Sequence, residues 1–472
     1  MRFRIVSGAA LTALFFFATF TAWAAENDGR LDEALNRSLR GSVKIEGSIR
    51  ALYNALTVND AKKMAVNRDI VQEHNDLFNH IVKTKGVTDQ QRSGRCWLYA
   101  GLNIMRPLVI EKYNLDEFEF SMSHLAFWDK LEKANFFLET VIELRDCEPF
   151  DREMDYFMKD PINDGGWWRY VVALIEKYGV MPQEAMPETY SSGNTQVMNE
   201  VLEMKLRVDA ARLLKMAEEK KTVQELRAAK RAMLRDIYRI LVLNYGQPPE
   251  EFTYRYADKD KKVSEPKKYT PQKFYKEWVG VDLSQYVSIC NDPTQPYGKQ
   301  YRLRRVRNVV GAPDVFYVNM PIDVLKNLAV KSIVDGQPVI FYGNATRDMD
   351  RDQGIMQSGL YDYGSLYGVD LTLGKAERMK TRDGAANHAM VLIGVDIQND
   401  KPVKWLVENS WGKTRGKNGL WTMYDKWFDD HLYCVIVKKA YVSNEVLKVF
   451  QEEPVELPPW TPMNTLFDNC RP

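Results

Sequence analysis

Residues 90–97 read Gln90-Gln91-Arg92-Ser93-Gly94-Arg95-Cys96-Trp97, a polar turn that passes through a glycine into a cysteine. From there Trp97, Leu98, Leu102 and Met105 carry apolar side chains at helical spacing, and Pro107 is expected to stop the helix. Cys96 is thus placed at a helix start, where about half a positive charge and open backbone N–H groups favour a thiolate. A lone cysteine at such a point is more often a small buried hydrophobe. The weight of the reading therefore falls on what else the chain supplies.

The second half supplies a partner. His388 leads the apolar run Ala389-Met390-Val391-Leu392-Ile393-Gly394-Val395, and Lys404-Trp405-Leu406-Val407-Glu408 runs into Asn409-Ser410-Trp411-Gly412. Both runs read as strands, with the polar turn Gln398 to Pro402 between them. Pairing His388 opposite Asn409 centres the turn between Gln398 and Asn399 and puts the two side chains about 5 Å apart on one face. The amide can then orient the imidazole. A neutral thiol, with a pKa near about 8.5, is mostly unreactive at neutral pH, whereas an adjacent imidazolium can lower it to about 3 to 4. The resulting ion pair attacks acyl carbons, and His388 would return its proton to the leaving amine. Gln90, six residues before Cys96, is placed to offer its amide N–H beside the Cys96 backbone N–H to a developing oxyanion. One such donor is worth about 3 kcal/mol in the transition state.

Composition excludes several other classes. A chain of 472 residues gives a prior of roughly three domains at about 150 each. With 45% hydrophobic and 27% charged residues, it is neither low-complexity nor disordered. The net charge is +1, so no global field argues for nucleic acid. The run Arg227, Lys230, Arg231, Arg235 is interleaved with acids and reads as a solvated helix face. The cysteines are Cys96, Cys147, Cys290, Cys434 and Cys470, with no C-x-x-C pair, which removes zinc ribbons and thioredoxin-like redox motifs. No metal or cofactor is expected.

The N-terminus reads as an export signal. Arg2 and Arg4 precede an apolar run from Ala9 to Ala22, and Ala22-Trp23-Ala24 forms a cleavage site. The run falls short of the roughly 20 residues that span a bilayer, which disfavours an uncleaved anchor. Cleavage after Ala24 leaves a mature chain of 448 residues with a net charge of about −1. It is expected to lie outside the cytoplasm, free of the membrane, where disulfides are permitted. Residues 31–83 read as a helical arm, with Ile70, His74, Leu77, Phe78 and Ile81 at helical spacing, and Trp168 to Lys177 as a further helix ended by Gly179. Residues 196–245 lack Pro and Gly, are followed by Gly246, and read as a helical hairpin. Strand signals return at 315–318 and 338–342. Helices first and strands later give an α+β fold with an inserted helical module.

The sequence resembles the papain-like cysteine peptidases of the bleomycin hydrolase or aminopeptidase C branch. The residues that carry the resemblance are Gln90 to Trp97, Asp164-Gly165-Gly166, Pro187 to Ser192, Asp362-Tyr363 through Leu373-Gly374-Lys375-Ala376-Glu377-Arg378, Asn387-His388-Ala389-Met390 and Glu408 to Gly412. His388 follows Cys96 by 292 positions, against about 130 to 150 in simple papain-like enzymes. The surplus matches the helical block plus charged loops. The resemblance implies a papain-like two-part core, one half helical and the other β-barrel-like. The segments are then a signal (1–24), a helical arm (25–83), the helical half with the nucleophile (84–195), the helical insertion (196–275), the β-rich half (276–453) and a tail in the cleft (454–472). It further implies Cys96 as nucleophile, His388 as acid/base, Asn409 as orienter, Gln90 as oxyanion donor, and Gly165, Gly166, Asn387 and Trp411 as substrate-binding residues. The substrates implied are peptides with free N-termini, and the assembly a homo-hexameric ring. Two alternatives are an endopeptidase of the same chemistry and a non-catalytic ring-forming binding protein.

Two departures stand out. Papain-like enzymes often carry a cysteine three residues before the nucleophile, and here that residue is Ser93. In this family the terminal carboxylate receives the substrate's amino group, but this chain runs on past the family-like Leu457 to Met463 as far as Pro472. The excess is about four or five residues, roughly 15 Å of reach. Self-trimming of that tail is the expected outcome, with folding aside or inhibition as alternatives. The pairing of Cys147, Cys290, Cys434 and Cys470 stays open.

Overall fold

The computed structural model describes residues 29–464. The export signal, Cys470 and the expected trimming site lie outside the described residues. The chain divides into two units, Met1–Ala65 and Val66–Pro472. The first holds helices α1 (Glu33–Ser42), α2 (Gly47–Leu56) and α3 (Ala61–Met64). Asp32 and Asp60 start α1 and α3 by accepting backbone N–H groups of Leu35 and Lys62.

The second unit opens with α4 (Arg68–Glu73) and β1 (His80–Ile81). The helical spacing read through Ile81 is not realised beyond Glu73. Asn79 instead donates to the Ile397 carbonyl and accepts from its N–H, copying a ladder step, and β1 pairs along the central strand. Then come α5 (Cys96–Asn103), α6 (Arg106–Lys112), α7 (Met122–Glu143), α8 (Arg152–Lys159), α9 (Trp168–Tyr178), α10 (Tyr190–Gly193), α11 (Gln196–Glu218) and α12 (Val223–Tyr245). Pro107 does not simply end a helix. It lies in the first turn of α6, where its missing N–H costs nothing. The hairpin α11–α12 is as read, closed by Gly246 at φ 83. All eight residues of α5 are buried, so the helix that starts at Cys96 runs through the core.

After α12 come β2 (Phe252–Tyr254) and β3 (Lys267–Tyr269), which form a separate ribbon, and then β4 (Tyr286–Cys290), β5 (Lys299–Leu303), β6 (Phe316–Asn319), β7 (Val339–Gly343), β8 (Met349–Asp350), β9 (Ile355–Met356), β10 (His388–Gln398), β11 (Lys401–Glu408), β12 (Leu420–Tyr424), β13 (Leu432–Lys438) and β14 (Val455–Leu457). Twelve strands make one mixed sheet in the order β14-β5-β6-β4-β13-β7-β10-β11-β12-β9-β8, with β1 also on β10. Strand β10 is buried from His388 to Asp396. Ala389, Val391 and Ile393 pack with the helical core that contains Cys96, while Met390 and Leu392 join a second core with the helix Ile322–Val334. Burial on both faces is why this run is continuously apolar.

The β10–β11 turn is Asn399-Asp400, both at positive φ, a two-residue turn that suits these residue types. Val391 lies opposite Glu408 and Gln398 opposite Lys401, with two bulges between. Continuing that register sets His388 diagonal to Asn409 rather than opposite it. The shift is an even one, so the two stay on one face. Cys290 and Cys434, opposite each other on β4 and β13, form a buried disulfide, which answers the pairing question for these two. Cys147 is a half-buried thiol after α7.

Candidate active site

Cys96 is 1% exposed and is the first residue of α5. Its Sγ accepts a hydrogen bond from the Ala389 N–H at 3.5 Å, which places the sulfur against the residue that follows His388. His388 is held by the sheet through its pairing with Gly343 of β7. Its Nε2 lies 2.7 Å from Asn409 Oδ1, and that same oxygen accepts the Ser410 N–H at 2.7 Å. A backbone donor on Oδ1 fixes the amide's orientation, so the imidazole carries its proton on Nε2 and keeps Nδ1 as the basic nitrogen. Trp411 covers the pair, with its ring 4.8 Å from the His388 ring, and the Arg351 guanidinium lies 4.8 Å over the indole. The residue expected to bind substrate thus shields the His388–Asn409 bond from water, where it is worth more.

Gln90 is fully buried. Its Nε2 donates to the Ser93 carbonyl at 2.5 Å and its Oε1 accepts from the Ser410 hydroxyl at 2.6 Å, while its backbone N–H donates to the Ser410 carbonyl. Asp89 and Trp411 form a bridge beside it. The turn before Cys96 and the segment after Asn409 are therefore one hydrogen-bonded unit. Ser93 takes the place of the missing disulfide: its hydroxyl donates to the Gln90 carbonyl and accepts from Arg95 Nε. Arg95 is locked by a bidentate pair with Glu188. Burial alone would raise the Glu188 pKa, but Arg95 and the Ser192 hydroxyl hold it below the ordinary range.

Gly166 lies against the ring of Trp97, the residue after Cys96. A Cβ on Gly166 would come within 2.6 Å of the Trp97 ring, so only glycine lets this backbone lie flat there. Lys133 Nζ donates to the Gly165 carbonyl at 2.6 Å. Asn387 uses its side chain on Asn344, Ala345 and Thr346, and it lines a cavity of about 550 Å³ whose other walls include Phe136, Tyr170, Gly384, Trp460 and Asn464. The tail enters here. Asn464 is buried, accepts from Trp167 Nε1 at 3.1 Å and donates to Tyr156 Oη and the Pro459 carbonyl.

Sequence reasoning did not single out Ser410 and Glu188, although both fall inside the motifs quoted. It also missed the pair Arg106–Glu408, buried on both sides, which ties α6 to the strand leading into Asn409. Burial raises the Glu408 pKa against the pull of Arg106. Among the described residues no cluster of metal-ligating side chains is present.

A buried cysteine at a helix start, beside a histidine oriented by an asparagine, makes a site for nucleophilic acyl transfer. The chain matches the model of the Peptidase C1-like family over residues 31–464. It is 38% identical over 419 residues to an aminopeptidase C from Streptococcus thermophilus, covering 88% of this chain and 94% of that one. It is likewise 38% identical over 425 residues to a bleomycin hydrolase from Rattus norvegicus, again 88% and 94%. The crystal structure of PepW from Lactobacillus rhamnosis HN001 superposes with a TM-score of 0.90 at 37% identity, covering 93% of this chain and 99% of that one. The chain belongs to the Peptidase C1-like family.

Proposed function

We propose that the protein is a thiol aminopeptidase that releases N-terminal residues from peptides through an acyl-enzyme on Cys96. The observation that carries this reading is the Ala389 N–H contact to Cys96 Sγ, made beside a histidine whose Nε2 is held by Asn409. Cys96 gives its proton to His388, and the thiolate adds to the carbonyl carbon of the first peptide bond, pushing an electron pair onto oxygen. That oxyanion is met by the Cys96 N–H and the Gln90 amide. The C–N bond breaks as His388 protonates the leaving amine, which leaves a thioester. His388 then takes a proton from water, the hydroxide displaces the thiolate, and the amino acid departs.

Selection of free amino ends is assigned to the tail. The resemblance supports this assignment, since a terminal carboxylate in the cleft would pair with an α-ammonium. Export to an oxidising compartment is supported by the N-terminal sequence and by the buried Cys290–Cys434 disulfide. Assembly as a ring of six is supported by the resemblance and by the exposed apolar stripe Val197, Val201, Met204 and Val208 on α11; light scattering that gives a monomer would remove it. The activity is tested with wild type, Cys96→Ala and a chain ending at Phe467 on peptides with free and blocked amino ends. Free-end cleavage that vanishes in Cys96→Ala is expected. Blocked-end cleavage by wild type would make it an endopeptidase, and no cleavage by any form a binding protein.

A further inference from the structure

Asp164, the residue before the glycine pair, is buried and receives five polar contacts. Its Oδ2 accepts the Gly94 N–H at 2.9 Å and the Thr195 hydroxyl at 2.5 Å. Its Oδ1 accepts Asn199 Nδ2 at 2.9 Å and pairs with Lys130 Nζ at 2.7 Å. Its own carbonyl accepts Trp97 Nε1 at 2.7 Å. One of these contacts grips the Gly94 backbone before Cys96, another holds the Trp97 indole just after it, and two come from Thr195 and Asn199 at the start of α11. Thr195 stands at the N-cap of α11, where a threonine hydroxyl ordinarily accepts from its own helix; no such cap bond is made, and the hydroxyl serves Asp164 instead.

The same stretch holds the nucleophile turn at two further points, through the Arg92 N–H on the Gly193 carbonyl and through Arg95 on Glu188. The segment leading into α11, with Asn199 of α11 itself, is thus built into the support of the turn. Burial would raise the Asp164 pKa, yet Lys130 and the Thr195 and Asn199 hydrogen bonds hold it well below the ordinary carboxylate range, so the acceptor stays ionised at any working pH.

We propose that Asp164 is a positioning residue through which Thr195 and Asn199, at the start of α11, fix the Gly94 turn, and with it the direction of the Cys96 backbone N–H toward the oxyanion. This rests on the reading of Cys96 as nucleophile. A misdirected N–H weakens transition-state stabilisation without touching ground-state substrate contacts or the thiol itself.

The test compares Thr195→Val, which keeps the volume and loses the donor, with Thr195→Ser, which keeps both hydroxyl and donor. Thr195→Val is expected to lower kcat about ten- to a hundred-fold, with KM within about two-fold and an unchanged rate of Cys96 alkylation by iodoacetamide. Thr195→Ser is expected to restore kcat. Asn199→Leu provides a second loss of a donor on the same carboxylate and is expected to give the same split. Wild-type kcat in Thr195→Val and Asn199→Leu overturns the proposal, as does a fall in kcat matched by an equal fall in alkylation and in folded protein. Full activity in Cys96→Ala would instead overturn the nucleophile reading, a separate result.

Discussion

The two halves of the site are held by different forces. Cys96 lies in a turn fixed by buried charge and hydrogen bonds: Asp164 on Gly94, Arg95 on Glu188, Ser93 on Gln90 and Arg95. His388 lies at the end of a strand buried on both faces, fixed by its ladder to β7 and β11 and by apolar packing. The nucleophile side depends on a few directional contacts, each costly to lose. The base side depends on many small contacts, so it is robust to single losses outside the His388–Asn409 bond itself. The two halves meet at the contact between Ala389 N–H and Cys96 Sγ.

The largest effect expected is on chemistry. His388→Ala removes the proton carrier and should lower kcat by about a thousand-fold or more, while leaving Tm within a few degrees because the strand stays packed. Loss of the fold in this variant would break the comparison, since it would make His388 a packing residue.

Next comes the polar clamp. Glu188→Leu leaves Arg95 buried without its partner and should cost about 3 to 5 kcal/mol in urea unfolding. A cost near that of an exposed pair would show that the turn does not depend on this charge. On the strand side, Cys434→Ser opens a disulfide that spans 144 residues and should cost about 2 to 5 kcal/mol. Its kcat should survive at temperatures where it is folded, because the staple joins β4 to β13 and not to β10.

The smallest is a pH effect in the helical half. Burial pushes the His124 pKa down to about 4, from an ordinary 6.5, with Nε2 on the Tyr178 carbonyl. As pH falls through 6.5 the unfolded chain takes up this proton and the folded chain does not, so stability drops between about pH 6.5 and 4 and levels off below. The whole effect is on the order of 3 kcal/mol. In His124→Gln the slope of Tm against pH in that window should flatten; an unchanged slope assigns it to other groups.

Much of this was legible in the sequence. Cys96 showed itself by the glycine turn and the helix period, His388 and Asn409 by leading and ending apolar strands, and the helical insertion by its composition. The register was two residues off because the turn is the left-handed pair Asn399-Asp400, one position later than read, while the two bulges in β10–β11 offset each other. The helix read through Ile81 failed because its apolar positions serve a strand edge, where tertiary pairing overrides spacing. The clamps were out of reach for a plainer reason: Arg95 and Glu188 are 93 positions apart, and Arg106 and Glu408 are 302. Only the folded chain brings them together.

The central claim is that Cys96 forms the covalent intermediate. It is tested by quenching the enzyme in acid during turnover of an aminoacyl ester with a free amino group, then mapping peptides by mass. The expected result is an acyl group on the peptide that carries Cys96, missing from Cys96→Ala and depleted in His388→Ala, where the thiol loses the base that activates it. An acyl group on Cys147, or none on any cysteine while hydrolysis proceeds, would contradict the account.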